Sequence, residues 1–431
     1  MLRATAKGFR LHVGFFGRRN VGKSSLLNAI TRQTVSIVSE IPGTTTDPVE
    51  KPMELAPIGP VLFVDTAGVD DVGALGAQRI EKTRQVIART DVGVLVTEAG
   101  TWGEFEERLL AELRSHKIPV LVALNKADLR KPASEQIAHF DDEKLRWALL
   151  TATTGEGVDA LRALLWEAAP AEEAESPAIV RDLVPPGETA VFVMPIDKEA
   201  PKGRIKNLQV QAMRDLLDGE SSCVVVKDAG FERALGNMKM PPSLVVTDAQ
   251  VFDTVAKLTP ASVPLTAFSI LLSRLKGDLV AQTKAALTVE DLRPGDRVLI
   301  AETCTHHPIE EDIGRVKIPR WLESYVGGKL DFTHVKGRDF PKDLSPYKLV
   351  VHCGACMWNR REMMSRIHEC RRQGVPITNY GLVIAMAQGI LERALEPFPE
   401  ALAAYRELSA EKLSRAARRL QSSEAAVARV N

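Results

Sequence analysis

Short apolar runs alternate with stretches whose apolar positions recur every three or four residues along most of this chain. Leu11-His12-Val13-Gly14-Phe15-Phe16 predicts a strand, and a glycine-rich turn leads from it to a helix over Lys23 to Ile30. Val61–Val64, Val92–Val96 and Val120–Leu124 predict three more strands. Runs this apolar have no polar face to show to water, so they belong in a mostly parallel sheet covered by helices on both sides. The rhythm stops near Trp166, and the small, acidic, proline-bearing stretch from Ala168 to Ala178 reads as a linker. It resumes with strands at Ala190–Met194, Cys223–Val226 and Ser243–Val246, and a helix over Leu208 to Leu217. A third stretch carries strands at Arg297–Ala301 and Lys348–His352, then helices over Asn359 to Arg372 and Leu382 to Leu395, and a helical tail from Ala404. No internal repeat stands out beyond this shared rhythm. The pattern predicts an α/β protein of three units, residues 1–170, 178–276 and 277–431.

Composition narrows the class. With 431 residues, 45% hydrophobic and 26% charged, the chain suits several globular domains rather than a disordered or fibrous protein. Its 56 basic and 56 acidic side chains cancel, which argues against broad adhesion to nucleic acid or anionic membrane. No uncharged apolar run approaches the ~20 residues of a membrane-spanning helix. The N-terminal apolar stretch belongs to a motif that the mature protein needs, so it is not a signal peptide. Five cysteines, two of them spaced Cys-x-x-Cys, do not make a secreted disulfide scaffold. The expectation is a cytoplasmic protein with neither nucleic acid nor membrane as partner.

Chemistry concentrates in two places. Gly17-Arg18-Arg19-Asn20-Val21-Gly22-Lys23-Ser24 fits Gly-x-x-x-x-Gly-Lys-Ser between a predicted strand and a predicted helix. Main-chain N–H groups from Gly17 through Ser25 would curl round the phosphates of a nucleotide at the helix N-terminus. Lys23 would reach the β- and γ-phosphates, and Ser24 would ligate Mg²⁺. Asp65-Thr66-Ala67-Gly68 ends a strand, so Asp65 can hold Mg²⁺ through water while Gly68 offers its N–H to the γ-phosphate. Asn125-Lys126-Ala127-Asp128 ends another. The Asp128 carboxylate can take both N–H groups of guanine, which adenine cannot supply, and an unmatched buried group costs on the order of 1–3 kcal/mol. GTP is therefore expected over ATP. Pro42 to Asp47 lies in a long polar connection where a switch loop belongs, with Thr45 as the hydroxyl that closes on Mg²⁺ and the γ-phosphate. Thr151 and Ala152 would complete the guanine pocket. Lys23, Thr45, Asp65 and Gly68 form the expected catalytic set.

Residues 8 to 168 resemble the GTPases of the TrmE–Era–EngA–YihA–septin class, which implies a P-loop GTPase fold followed by two smaller α/β units. Asn20 and the Pro-Gly-Thr-Thr-x-Asp switch resemble its potassium-responsive members, which implies that Asn20 binds K⁺ and that K⁺ serves where other GTPases use an arginine. Two departures stand out. Val69 follows Asp-Thr-Ala-Gly where a water-orienting glutamine is usual, so slow intrinsic hydrolysis is expected. The last guanine loop lacks the common Ser-Ala-Lys.

The second place is near the C-terminus. Cys304-Thr305-His306 follows one predicted strand and His352-Cys353-Gly354-Ala355-Cys356 follows another, with 352 − 306 − 1 = 45 residues between the histidines. Both clusters thus belong at the C-terminal ends of strands in one α/β unit, where such sheets place ligands. Three thiolates with an imidazole suit tetrahedral zinc, and three thiolates equally suit an iron–sulfur cluster; spacing does not separate them. Cys223, in an apolar run, reads as a core residue, and Cys370 as a bystander on a helix.

Cys-x-His, a gap of this size, and His-Cys-x-x-Cys behind an N-terminal GTPase resemble the HydF family over the whole chain. HydF proteins are GTPases that mature FeFe-hydrogenases. The resemblance implies that residues 178–276 form a dimerisation domain and 277–431 a cluster-binding domain. It makes Cys304, Cys353 and Cys356 ligands of a 4Fe–4S cluster. The fourth iron is exchangeable, with His306, His352, Glu310 and Glu311 as candidates. It also implies a homodimer, a transient diiron subcluster as cargo, and radical-SAM maturases and apo FeFe-hydrogenase as partners. The competing expectation is a ribosome- or tRNA-linked GTPase with a structural zinc site, against which the zero net charge weighs. A metal-dependent hydrolase in the last unit lacks a placed general base.

Overall fold

The computed structural model describes residues 7–32, 48–56, 58–66, 74–169, 178–196, 205–303 and 312–428, without the side chains of 74–80 and 416–428. Two compact units divide between Pro177 and Ala178.

The first unit runs β1 (Leu11–Phe16), α1 (Lys23–Thr31), β2 (Val49–Leu55), β3 (Gly59–Asp65), α2 (Ala74–Ile87), β4 (Val92–Glu98), α3 (Glu104–Ser115), β5 (Val120–Asn125), α4 (Ser134–Asp142), β6 (Arg146–Leu149) and α5 (Val158–Ala168). The sheet order is β2-β3-β1-β4-β5-β6, parallel except for β2 against β3. Alternate residues of each strand enter different cores, as the pleat requires. Val61 and Phe63 join Leu26, Leu27 and Leu161 on one face; Leu62 and Val64 join Val86, Leu110 and Phe140 on the other. That is why the inner strands are apolar at nearly every position. The pattern gave no sign of β2, an edge strand whose Val-Glu-Lys-Pro-Met-Glu-Leu sequence buries only Leu55 fully.

The second unit holds two four-stranded parallel sheets in succession. The first sheet belongs to β7 (Thr189–Val193), α6 (Asn207–Asp218), β8 (Ser222–Val226), α7 (Phe231–Gly236), β9 (Leu244–Thr247), α8 (Phe252–Leu258), β10 (Leu265–Ala267) and α9 (Phe268–Lys276). Its order is β10-β9-β7-β8. The expectation that Cys223 is a core residue needs correcting: it lies half-buried on β8, which is an edge strand, because strand β7 covers β8 on one side only.

The second sheet, of order β12-β11-β13-β14, is built by α10 (Leu279–Ala286), β11 (Arg297–Glu302), α11 (Ile318–Val326), β12 (Asp331–Lys336), β13 (Leu349–His352), α12 (Arg360–Arg372), β14 (Ile377–Asn379), α13 (Tyr380–Ala387), α14 (Leu391–Leu395) and α15 (Pro399–Ala428). It has four strands rather than the expected two. β12 is a half-buried edge and β14 only three residues long, so neither shows an apolar run. The single helix expected over Leu382 to Leu395 is two, separated by a turn at Gly389 with φ +72°. Among the described residues no helix is long and apolar enough to cross a membrane.

Candidate functional site

Strand β1 delivers the chain into the loop 17–22, and α1 begins at Lys23. Gly22 has φ +93°, and a Cβ there would collide with Asn125 Nδ2, so only glycine lets the loop close on the β5 end. Asn125 joins two loops: its Nδ2 donates to Val21 O (2.8 Å) and its Oδ1 accepts from Ala152 N–H (2.9 Å). Thr151 is buried beside it, its N–H donating to Glu156 O (2.9 Å). Lys23 turns back on its own loop, donating to Gly17 O (3.0 Å) and Arg18 O (2.7 Å). The Arg18 guanidinium forks onto the buried Glu106 carboxylate at 2.6 and 2.9 Å, which ties the loop to the start of α3. Ser25 is half-buried at the start of α1, as is Arg19 in the loop, whereas Asn20 and Asp128 are exposed. The Lys126 ammonium is held by Glu98.

Ser24 Oγ donates to Asp65 Oδ2 at 2.5 Å. The other carboxylate oxygen, Oδ1, is buried with no hydrogen-bond partner among the described residues. Burial raises the Asp65 pKa, opposed by the Ser24 hydrogen bond and the nearby Lys23 charge. A carboxylate placed so is stabilised by a cation. Thr45 and Gly68 lie outside the described residues.

In the second unit β11 and β13 are neighbours, with Ala301 opposite His352. The loop that follows β13 begins with Cys353, whose N–H donates to Ala301 O (2.9 Å). Thr303 N–H in turn approaches Cys353 Sγ at 3.2 Å. Cys353 and Cys356 are both free thiols. Burial pushes the Cys353 thiol pKa up, partly offset by the hydrogen bond from Thr303. His352 is fully buried and both ring nitrogens are engaged: Nδ1 with Cys353 O (2.7 Å) and Nε2 with Arg366 Nη1 (2.8 Å). Because the guanidinium can only donate, Nε2 accepts and Nδ1 carries the proton. Burial, then the Arg366 charge, lowers the His352 pKa to about 3. Arg366 itself is stacked against the Trp358 and Phe340 rings, 4.1 and 4.4 Å from their centroids, and donates to Gly337 O (2.7 Å).

Among the described residues no group of three or more His, Cys, Asp or Glu side chains is placed to hold a metal ion. Cys304, His306, Glu310 and Glu311 lie outside those residues. Cys370, on α12, is buried in the core. Sequence reasoning missed Glu106, Arg366 and Lys276, the last of which donates into the Cys353–Trp358 loop. No local spacing marks Glu106 and Lys276, since each reaches its loop from a helix far along the chain, and Arg366 sits 14 positions from His352 on the helix that follows the loop.

Comparison with known proteins follows the same division. Residues 12–126 match the family described as 50S ribosome-binding GTPase. Residues 179–277 match the Hydrogen maturase F dimerization domain, and residues 280–397 its tetramerization domain. The chain belongs to the HydF family. The two latter matches are to domains named for self-association, and the first is to a GTPase domain. The tRNA modification GTPase MnmE of Prochlorococcus marinus (strain MIT 9303) is 38% identical over 169 residues, 38% of this chain and 36% of that protein. GTPase Der of Wolinella succinogenes is 33% identical over 162 residues, 35% and 34% of the two chains. The chain thus spans about a third of the length of the curated relatives it matches. Among solved structures, Era of Aquifex aeolicus bound to GDP·AlF4⁻ is 22% identical with a TM-score of 0.35, covering 50% of this chain and 94% of that one.

Proposed function

We propose that this chain is a GTP-hydrolysing scaffold that carries a 4Fe–4S cluster at its Cys353–Cys356 loop and delivers a diiron precursor to apo FeFe-hydrogenase. One observation carries the reading: a phosphate loop and a two-thiol loop, each at the C-terminal end of a parallel strand, occur in one HydF-family chain. The division into residues 1–170, 178–276 and 277–431 belongs to this reading, with GTP, dimer and cluster assigned in that order.

In the GTPase domain, Gly17 to Ser25 bind the phosphates, and Asn125, Lys126, Asp128, Thr151 and Ala152 hold guanine. The Ser24–Asp65 pair fits Mg²⁺, since the buried, unpartnered Asp65 Oδ1 gains a positive neighbour and Ser24 Oγ is already beside the carboxylate. Asn20, exposed on the loop, is the K⁺ ligand, and Thr45 and Gly68 close on the γ-phosphate. Hydrolysis is slow without a glutamine after Gly68, so the nucleotide acts as a switch on partner binding.

At the thiol loop the donor chemistry fits a thiophilic group: two unpaired thiols on one turn, one receiving a main-chain N–H. Cys353 and Cys356 hold the cluster together with Cys304. A 4Fe–4S cluster with one exchangeable iron supplies a point at which a diiron unit docks. Of the fourth-ligand candidates, His352 would have to surrender the Arg366 hydrogen bond to bind, which leaves His306, Glu310 or Glu311 as the better candidates. Radical-SAM maturases load the scaffold. The homodimer forms through edge strand β8, where Val225 is 43% exposed.

The test is transfer. Protein matured with its radical-SAM partners should activate apo-hydrogenase, and Cys304→Ala, Cys353→Ala or Cys356→Ala should each abolish that transfer together with the bound iron. Stoichiometric zinc in colourless protein that does not activate apo-hydrogenase would sink the reading and favour the ribosome- or tRNA-linked alternative.

A further inference from the structure

Lys276 is the last residue of α9, and its side chain is buried, only 2% exposed. Its ammonium reaches beyond its own helix. It crosses to the thiol loop and donates to Ala355 O (3.2 Å), Cys356 O (3.2 Å) and Trp358 O (2.7 Å). An ammonium has three N–H donors, and here they meet three carbonyls of one short turn. Ala355 sits in the left-handed region with φ +51°, a conformation that costs a non-glycine residue free energy unless its surroundings hold it there. Lys276 grips its carbonyl. The same helix end meets the loop elsewhere. A Cβ on Gly354 would lie 2.7 Å from Leu272 Cδ1, and Arg360 Nη1 donates back to Leu275 O (3.2 Å) and Gly277 O (2.7 Å). The His352 ring, held by Arg366, takes up Cys353 O.

We propose that Lys276 is the positioning residue of the Cys353–Cys356 loop and supplies the positive charge that offsets the anionic thiolate-held group. The inference rests on the cluster reading for its second half only; the first half concerns the loop itself. A buried cation is costly on its own and persists where acceptors or negative charge compensate it. Here the acceptors are the carbonyls that shape the turn between the two thiols. A thiolate-ligated iron–sulfur group adds net negative charge within the same buried space. Lys276 thus connects the end of the dimerization-domain match at residue 277 with the loop that bears two of the ligands.

Full-length apo-protein tests the first half by residue-resolved amide hydrogen exchange. The Cys353 and Trp358 amides donate to Ala301 O (2.9 Å) and Ala355 O (3.0 Å), so both report on the loop. In Lys276→Met they should exchange at least tenfold faster, while Ile367 in α12 keeps its wild-type rate. Unchanged loop amides overturn the proposal; so does a parallel rise at Ile367, which would make Lys276 a general support of the fold. For the second half, anaerobically reconstituted Lys276→Met should show a midpoint potential more negative than wild type, because reduction adds negative charge near a site that has lost a cation. Lys276→Arg should return both readouts toward wild type. A wild-type potential in an iron-replete Lys276→Met overturns the charge role. If that variant takes up no iron, Lys276→Arg must recover uptake, and failure to do so overturns the proposal as well. Wild-type protein that binds no iron would end the cluster reading while leaving the exchange result standing.

Discussion

The phosphate loop and the thiol loop are built on the same local plan and use a buried lysine in opposite ways. Each follows a parallel strand and precedes a helix, and in each an ammonium donates to main-chain carbonyls. Lys23 belongs to the loop it touches, so the two carbonyls it holds can be exchanged for phosphate oxygens when a nucleotide arrives. Lys276 reaches in from another helix and holds three carbonyls of the turn. One loop keeps its cation ready to leave, and the other keeps it fixed. On the proposed function, nucleotide exchange calls for the first and retention of a metal group for the second.

Mutations can break this comparison, and the largest effect belongs to the thiols. Cys353→Ala should remove bound iron and sulfide after anaerobic reconstitution while GTP affinity, read by fluorescent-nucleotide titration, stays at wild type. Coupled loss of both would show that the two loops are not independent. Buried histidines, one ahead of each loop, give the next test. Burial lowers the His12 pKa to about 4, with Lys7 O accepting at its ring the main opposing influence. Its unfolded value of 6.5 is higher, so the unfolded state takes up the proton first and stability falls as pH drops from 6.5 toward 4. The loss should approach about 3 kcal/mol in chemical unfolding of the GTPase unit, and His12→Gln should flatten it. A wild-type slope in the variant would assign the effect elsewhere.

Lys23→Met should weaken GTP binding about 100-fold, since an ion-assisted contact of roughly 1.5–3 kcal/mol is lost. An equal fall in the thermal stability of the nucleotide-free protein would be the contrary outcome, making Lys23 a support of the empty loop rather than a ligand of the nucleotide. Asn125→Ala strands Val21 O and Ala152 N–H and should cost about 1–3 kcal/mol in stability along with guanine selectivity. The smallest expected change is at the Arg18–Glu106 fork. Glu106→Gln should cost on the order of 1 kcal/mol and shift nucleotide affinity by less than about tenfold, because the fork orients the loop without touching the phosphates.

What was legible in the sequence follows from the range of the interactions. The apolar strands β1, β4 and β5 and the turns after them are local patterns, and residue spacing exposed both loops. Edge strands β2 and β12 were hidden because one side of each meets solvent and their sequences carry charges. The residues that organise the loops were hidden for a different reason. Glu106 meets Arg18 across 88 positions and Lys276 meets Trp358 across 82, separations over which no spacing rule operates. His352 shows the same limit from the other direction. Beside two cysteines it reads as a ligand, yet the fold gives both its nitrogens to Arg366 and Cys353 O.

The central claim is that the second loop holds iron and sulfide on a chain whose first loop holds GTP. Anaerobic reconstitution of the full-length protein, followed by metal analysis with visible and EPR spectra, tests it most directly. The account predicts brown protein with about four iron and four sulfide per chain and an EPR signal on reduction, lost in Cys353→Ala. Colourless protein with one zinc per chain and no sulfide would contradict it.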